Sequence, residues 1–223
     1  QGALDTTFGT NGVLEVGASA QVQPMTALRL TDGSILVAGS IDTDAVVLKI
    51  KPSGVVDDAF GIGGDVRTSI GTGGIAYPWR AIGVQSSGKI VVAGTNGARS
   101  ITVARFNPDG SVDNSFGTSG QALIDVGGTA PQYGDEAYGL TIDRNDKILV
   151  TGAALTSNGV GTDSGIGVAR LNQAGDYDNS FSDDGRFATN CGYRVMWGVG
   201  IQVDSQNRIC LLYTSPSPRD QRG

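Results

Sequence analysis

The side chains with the most chemical reach in this sequence are carboxylates. Asp135 and Glu136 stand side by side, and Asp163 follows in a second irregular stretch. Two such groups facing each other across a cleft are what glycoside hydrolysis needs, one as acid and the other as base or nucleophile. Other catalytic sets are harder to assemble. There is no histidine, which removes the commonest general base and the commonest transition-metal ligand together. Serines in stretches such as Thr156-Ser-Asn-Gly therefore lack a base for a triad. Cys191 and Cys210 make neither a zinc site nor a disulfide framework, and Cys191 reads as a small residue at a strand end. Gly39, Gly94 and Gly152 each end an apolar run with no helix behind it, so they form no phosphate-binding loop. Glycine at such a place marks a close backbone approach or a bulge. No cofactor and no metal is expected.

A second set of ionisable residues recurs. Asp5, Asp57, Asp113 and Asp178 each precede a phenylalanine, Phe8, Phe60, Phe116 and Phe181, by three positions. The ligand spacing of a calcium loop is absent, and an aspartate turn that satisfies nearby backbone amides is the favoured account. The repeated phenylalanines read as packing anchors. Lys49, Arg105 and Arg170 precede Asp57, Asp113 and Asp178 by eight residues each. Three equal spacings predict one ion pair per repeat, worth about 0–1 kcal/mol if exposed.

The elements that must position these groups are short strands. Leu4–Gly12, Val56–Gly64, Val112–Gly120 and Tyr177–Gly185 are four copies of one motif, with phenylalanines 52, 56 and 65 residues apart. In phase with it run Gly33–Gly39, Gly88–Gly94, Asp146–Gly152 and a truncated Asn207–Ile209, then Val46–Ile50, Thr102–Phe106 and Gly167–Leu171. These runs are β-branched and bounded by turn residues. Adding Met25–Leu30 or Tyr138–Ile142 before, and Val13–Val16 or Gln121–Val126 after, gives four strands per repeat, which is one blade of a β-propeller. Thirty-five glycines and only 6% aromatics fit many tight turns, and 39% apolar residues in 223 suffice for a core. The fold class is therefore all-β, a β-propeller fragment of about three four-stranded antiparallel blades plus partial flanking blades. The repeats are placed roughly at 18–70, 75–126 and 135–190, with a partial one at 195–209. Three blades are too few to close a ring, so a longer parent is expected.

Val103–Gly120, read with the strand that follows it, resembles the delta-60 repeats of bacterial secreted and surface proteins. The resemblance covers residues 1–209. It implies a β-propeller and a secreted or cell-surface location, and it implies no catalytic residues. The fourth copy departs from the pattern at Ser182, where the others have glycine. Beyond it, Cys210–Asp220 resembles the direct translation of a transposon-type sequencing-library adapter over all eleven residues. Residues 210–223 are therefore expected to be non-native. The strand opening at Asn207 should lose its continuation there, and the two prolines should leave the tail extended and unpacked.

In an up-and-down blade, the turn between second and third strands emerges on the same side as the connection to the next blade. Residues 71–78 and 127–136 are such connections, and 155–165 is such a turn; all three differ in length and composition. Function tends to sit on variable loops over a rigid frame, so that face carries the candidate ligand-binding residues Tyr77, Trp79, Arg80, Tyr133, Asp135, Glu136 and Asp163. Aromatic rings beside polar groups suit a carbohydrate or protein ligand. A net charge of −6 and a pI near 4.5, without a basic cluster, exclude a phosphate-backbone partner. No run approaches the roughly 20 apolar residues of a membrane span. The expected function is a non-enzymatic binding or scaffold domain; the alternative is a propeller lyase or glycosidase using the loop carboxylates.

Overall fold

The computed structural model describes residues 2–17, 20–69, 78–126, 135–157, 162–189 and 197–214. Among them all regular structure is β. The first blade is β1 (Val22–Arg29), β2 (Ile35–Ile41), β3 (Asp44–Ile50) and β4 (Asp65–Thr68). The second is β5 (Trp79–Val84), β6 (Ile90–Thr95), β7 (Ile101–Phe106) and β8 (Gln121–Ile124). The third is β9 (Glu136–Ile142), β10 (Ile148–Ser157), β11 (Thr162–Leu171) and β12 (Arg186–Thr189), and a fourth begins with β13 (Trp197–Val203) and β14 (Ile209–Thr214). Each sheet is antiparallel in sequence order. This is the expected all-β propeller fragment.

The inner strands are apolar on both faces because blades stack face to face. Leu36, Val47, Phe60 and Val66 of the first blade meet Trp79, Val92 and Phe106 of the second. Val91, Val103 and Phe116 of the second meet Leu140, Ile148 and Leu171 of the third. Phe60 and Phe116 are 1% and 0% exposed, as anchors should be. Phe8 and Phe181 are half-buried, since each lies where a flanking blade is incomplete.

Two expectations at the ends are corrected. Residues 13–16 form no strand and make only a bridge from Val13 to Thr10, because no third strand among the described residues lies beside them. At the other end the ladder does not stop at Ile209. β14 runs through Cys210 to Thr214, paired with β13 from Val203↔Ile209 to Trp197↔Thr214. Its outward residues Leu212 and Tyr213 are 68% and 52% exposed.

The repeated charges form the predicted pairs. Lys49 Nζ lies 3.4 Å from Asp57, Arg105 Nε 2.6 Å from Asp113 and Arg170 Nε 2.9 Å from Asp178. Each cation also sits over the phenylalanine of its own motif, at 6.0, 4.7 and 5.0 Å from the centroids of Phe60, Phe116 and Phe181. A second cation, a lysine, joins each aspartate: Lys51 at 3.6 Å, Lys89 at 2.7 Å and Lys147 at 3.4 Å. Exposure is where the expectation fails. Arg105 and Asp113 are only 5% and 7% exposed, against 20% and 17% for Lys49 and Asp57, so the middle pair is a buried one. Burial pushes the Asp113 carboxyl up, but hydrogen bonds from Lys89, Ser115 and Arg105 outweigh it and hold the group well below its ordinary value. Asp57 and Asp178 are lowered by the same balance.

Successive blades are tied by the residue after each phenylalanine. Gly9, Gly61 and Gly117 donate from their backbone N–H to Ser53, Asp109 and Ala174 of the next blade, at 2.9, 2.8 and 2.7 Å. Gly61 and Gly117 take φ of +59° and +53°, and a β-carbon on either would overlap the carbonyl of Asp65 or Gln121. Ser182 keeps φ at +52° in the fourth copy. Its turn is rearranged to an Asp184 N–H to Ser182 carbonyl bond of 2.8 Å.

Candidate binding face

The strand ends that flank the irregular connections lie at one end of the blades. In the third blade the start of β9 pairs with the middle of β10 at Glu136↔Ala153, and β10 and β11 continue past it to Ser157↔Thr162. In the second, Trp79↔Gly94, Thr95↔Ile101 and Ile101↔Ile124 lie at the matching end. The Ala137 N–H donates across the blades to Thr95 Oγ1 at 3.1 Å, which fixes both sheets in the same sense.

At that end every inner strand carries a β-bulge in the same place. The register slips between Pro24 and Thr26, between Trp79 and Ala81, opposite Thr151 and Gly152, and between Gly198 and Gly200. Met25, Arg80, Tyr138 and Val199 are thus the extra residues. A bulge bends the strand and re-aims its side chain. Glycines within the second strands lie opposite three of the four bulges. Gly39 and Gly152 lie so close to the inner strand that a β-carbon would overlap the carbonyls of Gln23 and Glu136. At Gly94 it would stand 2.8 Å from that of Pro78. The glycine that the sequence marks as a close approach or bulge is therefore the socket for its neighbour's bulge.

Two bulged residues meet. The Arg80 guanidinium lies 5.3 Å over the Tyr138 ring, and the Tyr138 hydroxyl donates to Glu136 Oε2. Burial first, and the Glu136 carboxylate second, push the Tyr138 hydroxyl up to about 12. All three side chains are half-buried. This cation, ring and carboxylate form a preorganised polar cluster on the lip of the inner strands, with no group placed as a nucleophile.

The other candidates fare differently. Trp79 is corrected: it is fully buried, with its ring against Gly94, where a β-carbon would stand 3.1 Å from Cε3. The proline before it gives it the look of a loop residue, but it is the first residue of β5 and fills the core between two blades. Asp135 is 7% exposed and accepts the Val126 N–H at 2.6 Å, so it joins the end of the second blade to the start of the third. Arg80 and Glu136 belong to the cluster. Asp163 lies in β11 opposite Thr156, with its side chain outside the described part. Tyr77, Tyr133 and Cys191 lie outside the described residues. Tyr138 is the member of the cluster that sequence reasoning treats only as strand; its alignment with Arg80 within the repeat is the signal that could have found it.

Comparison with known proteins fits this architecture. A family model described as a domain of unknown function (DUF5122) beta-propeller matches residues 30–60, 85–116 and 144–181. The chain is thus similar to that family over three of its repeats. Each matched segment opens at or near the first inner turn of a blade and closes on Phe60, Phe116 or Phe181, so the match covers the ion-pair motif and leaves out the bulged strands. No curated protein matches the chain. Among solved structures it is similar to the extracellular domain of a protein described as a one-component system of B. thetaiotaomicron. The identity is 12% and the TM-score 0.43, over 84% of this chain and 20% of that one. The chain thus spans one fifth of that structure's length.

Proposed function

We propose that this is a non-enzymatic propeller binding domain, of the secreted or surface delta-60 type, which holds a carbohydrate or peptide ligand on the bulged lip of its inner strands. The observation that carries it is the contrast between frame and lip. The socket glycines and ion-pair nodes repeat in all three blades, whereas the bulged residues are Met25, Arg80 and Tyr138 there and Val199 in the partial fourth. A rigid scaffold presenting unlike side chains at equivalent places suits recognition. The carboxylates that would serve hydrolysis are otherwise engaged, Asp135 by a backbone amide and Glu136 by Tyr138. A secreted or surface location follows from the repeat resemblance.

Glycan and protein arrays probed with the labelled chain test this. A defined set of ligands should bind, and Arg80→Gln combined with Tyr138→Phe should weaken them at least about tenfold without changing the fold, since each removes a contact worth about 1 kcal/mol or more. Arrays without a hit, or hits indifferent to that double variant, would refute the assignment.

A further inference from the structure

The opposite end of the blades carries a cleft of 720 Å³, lined by Leu28, Leu30, Ile82 and Val84 with Arg29 and Thr31 among its polar groups. Its origin lies in a tie that one blade junction lacks. Between the second and third blades the Ser86 N–H donates to Asp146 Oδ1 at 2.8 Å and its hydroxyl donates to Oδ2 of the same carboxylate. Between the third and fourth, Arg144 N–H donates to Asn207 Oδ1 at 3.5 Å. The equivalent residues of the first and second blades are Thr31 and Gly88. Glycine supplies no side-chain acceptor, and among the described residues the Thr31 N–H has no hydrogen-bond partner. Arg29 forms no ion pair among them either, and its Nη2 lies 3.6 Å from where a β-carbon on Gly33 would stand.

We infer that this cleft binds the carboxylate of an amphipathic organic acid, which takes the place that the Asp146 carboxylate occupies at the next junction. The Thr31 N–H and hydroxyl supply the donors that Ser86 supplies there, and the Arg29 guanidinium offers a planar fork matched to one carboxylate. Asp32 on the same rim disfavours a second negative charge on the ligand. The leucine, isoleucine and valine walls take an alkyl chain, and the volume is that of a small-ligand site. This site is distinct from the bulged lip and does not depend on it.

Sodium decanoate is the probe, titrated into the full chain by calorimetry, with decyl glucoside and decyltrimethylammonium as controls of equal chain length. Decanoate should bind saturably at one site and the controls at least about tenfold more weakly, the worth of one charge-assisted hydrogen bond. Arg29→Gln, at an exposed position, should cost about the same factor. Gly88→Asp should abolish binding by restoring the tie. The φ of +80° at Gly88 is close to the +59° that Asp146 and Asn207 adopt, and its new β-carbon would have 3.2 Å to Pro108 Cγ. If Gly88→Asp does not fold, Arg29→Gln decides alone. No saturable decanoate binding up to about 1 mM, equal binding of the glucoside, or an Arg29→Gln variant that binds decanoate like the parent would overturn the assignment.

Discussion

Replacing Asp113 by asparagine separates the buried node from its two exposed relatives. The substitution keeps the shape and leaves Arg105, 5% exposed, and Lys89, 29% exposed, facing a neutral amide. Arg105 remains fixed by its bond to the Gln173 carbonyl at 2.7 Å and by stacking on Phe116, so it cannot move out to water without breaking a contact between the second and third blades. Removing one partner of a buried pair costs about 3–5 kcal/mol. Asp57→Asn faces lysines at 3.4 and 3.6 Å with about a fifth of the nearer one exposed, and should cost about 1 kcal/mol or less. In a chain of this size each kcal/mol moves Tm by about 2–4 °C. Asp113→Asn should therefore melt roughly 6–12 °C or more below the parent, and Asp57→Asn within about 4 °C of it. Circular dichroism melts and urea titrations at pH 7 read both. The sign with pH is also fixed. Because the folded Asp113 carboxyl lies below its unfolded value, the unfolded chain takes up that proton first, so the stabilisation is complete above about pH 4 and is lost as the pH falls further. The parent should lose stability more steeply than Asp113→Asn below that point. Equal losses from Asp57→Asn and Asp113→Asn, or parallel pH profiles for parent and variant, would refute the distinction.

Gly152→Ala should destabilise by about 1–3 kcal/mol, since its methyl overlaps the Glu136 carbonyl at the bulge; unchanged urea midpoints would count against the socket. Tyr213 pairs with Gly198 where Gly94 pairs with Trp79, so it occupies the glycine position of the truncated copy. Tyr213→Gly should therefore raise amide-exchange protection at Gly198 and Gly200, and a fall in protection would contradict it. In an alkaline absorbance titration Tyr138 should ionise at about 12, and Tyr177, raised by burial, should also exceed the ordinary value. Stability held by the neutral Tyr138 is present below about pH 10 and lost as the pH rises through the folded value. Glu136→Gln should bring the Tyr138 midpoint down, and an unmoved midpoint would exclude the carboxylate as a cause.

Blade number, strand order and the ion pairs are legible because repetition turns local signals into constraints: the eight-residue spacing of Arg105 and Asp113 recurs in two other repeats. The degree of burial is not legible, since Asp57 and Asp113 share the Val-Asp-x-x-Phe-Gly motif but only at Arg105 does the next blade cover the pair, through the Gln173 carbonyl. The third charge was within reach at two of the nodes, because Lys89 and Lys147 directly precede equivalent strands. Trp79 misleads because sequence beside a proline looks like loop, whereas inter-blade packing decides that a strand begins there. The bulges are half legible. Gly39, Gly94 and Gly152 announce a close approach, but nothing in the sequence tells which residue is pushed out, so Tyr138 reads as ordinary strand.

The most direct test of the fixed frame and variable lip is the affinity of an array-selected ligand for a variant in which Met25, Arg80, Tyr138 and Val199 are all serine. These four lie outside the regular ladder register, so the variant should keep its β circular dichroism and cooperative melt while losing about a hundredfold or more in affinity, the loss of two or more contact side chains at about 1.4 kcal/mol per tenfold. A folded variant that binds the ligand as tightly as the parent would contradict the account.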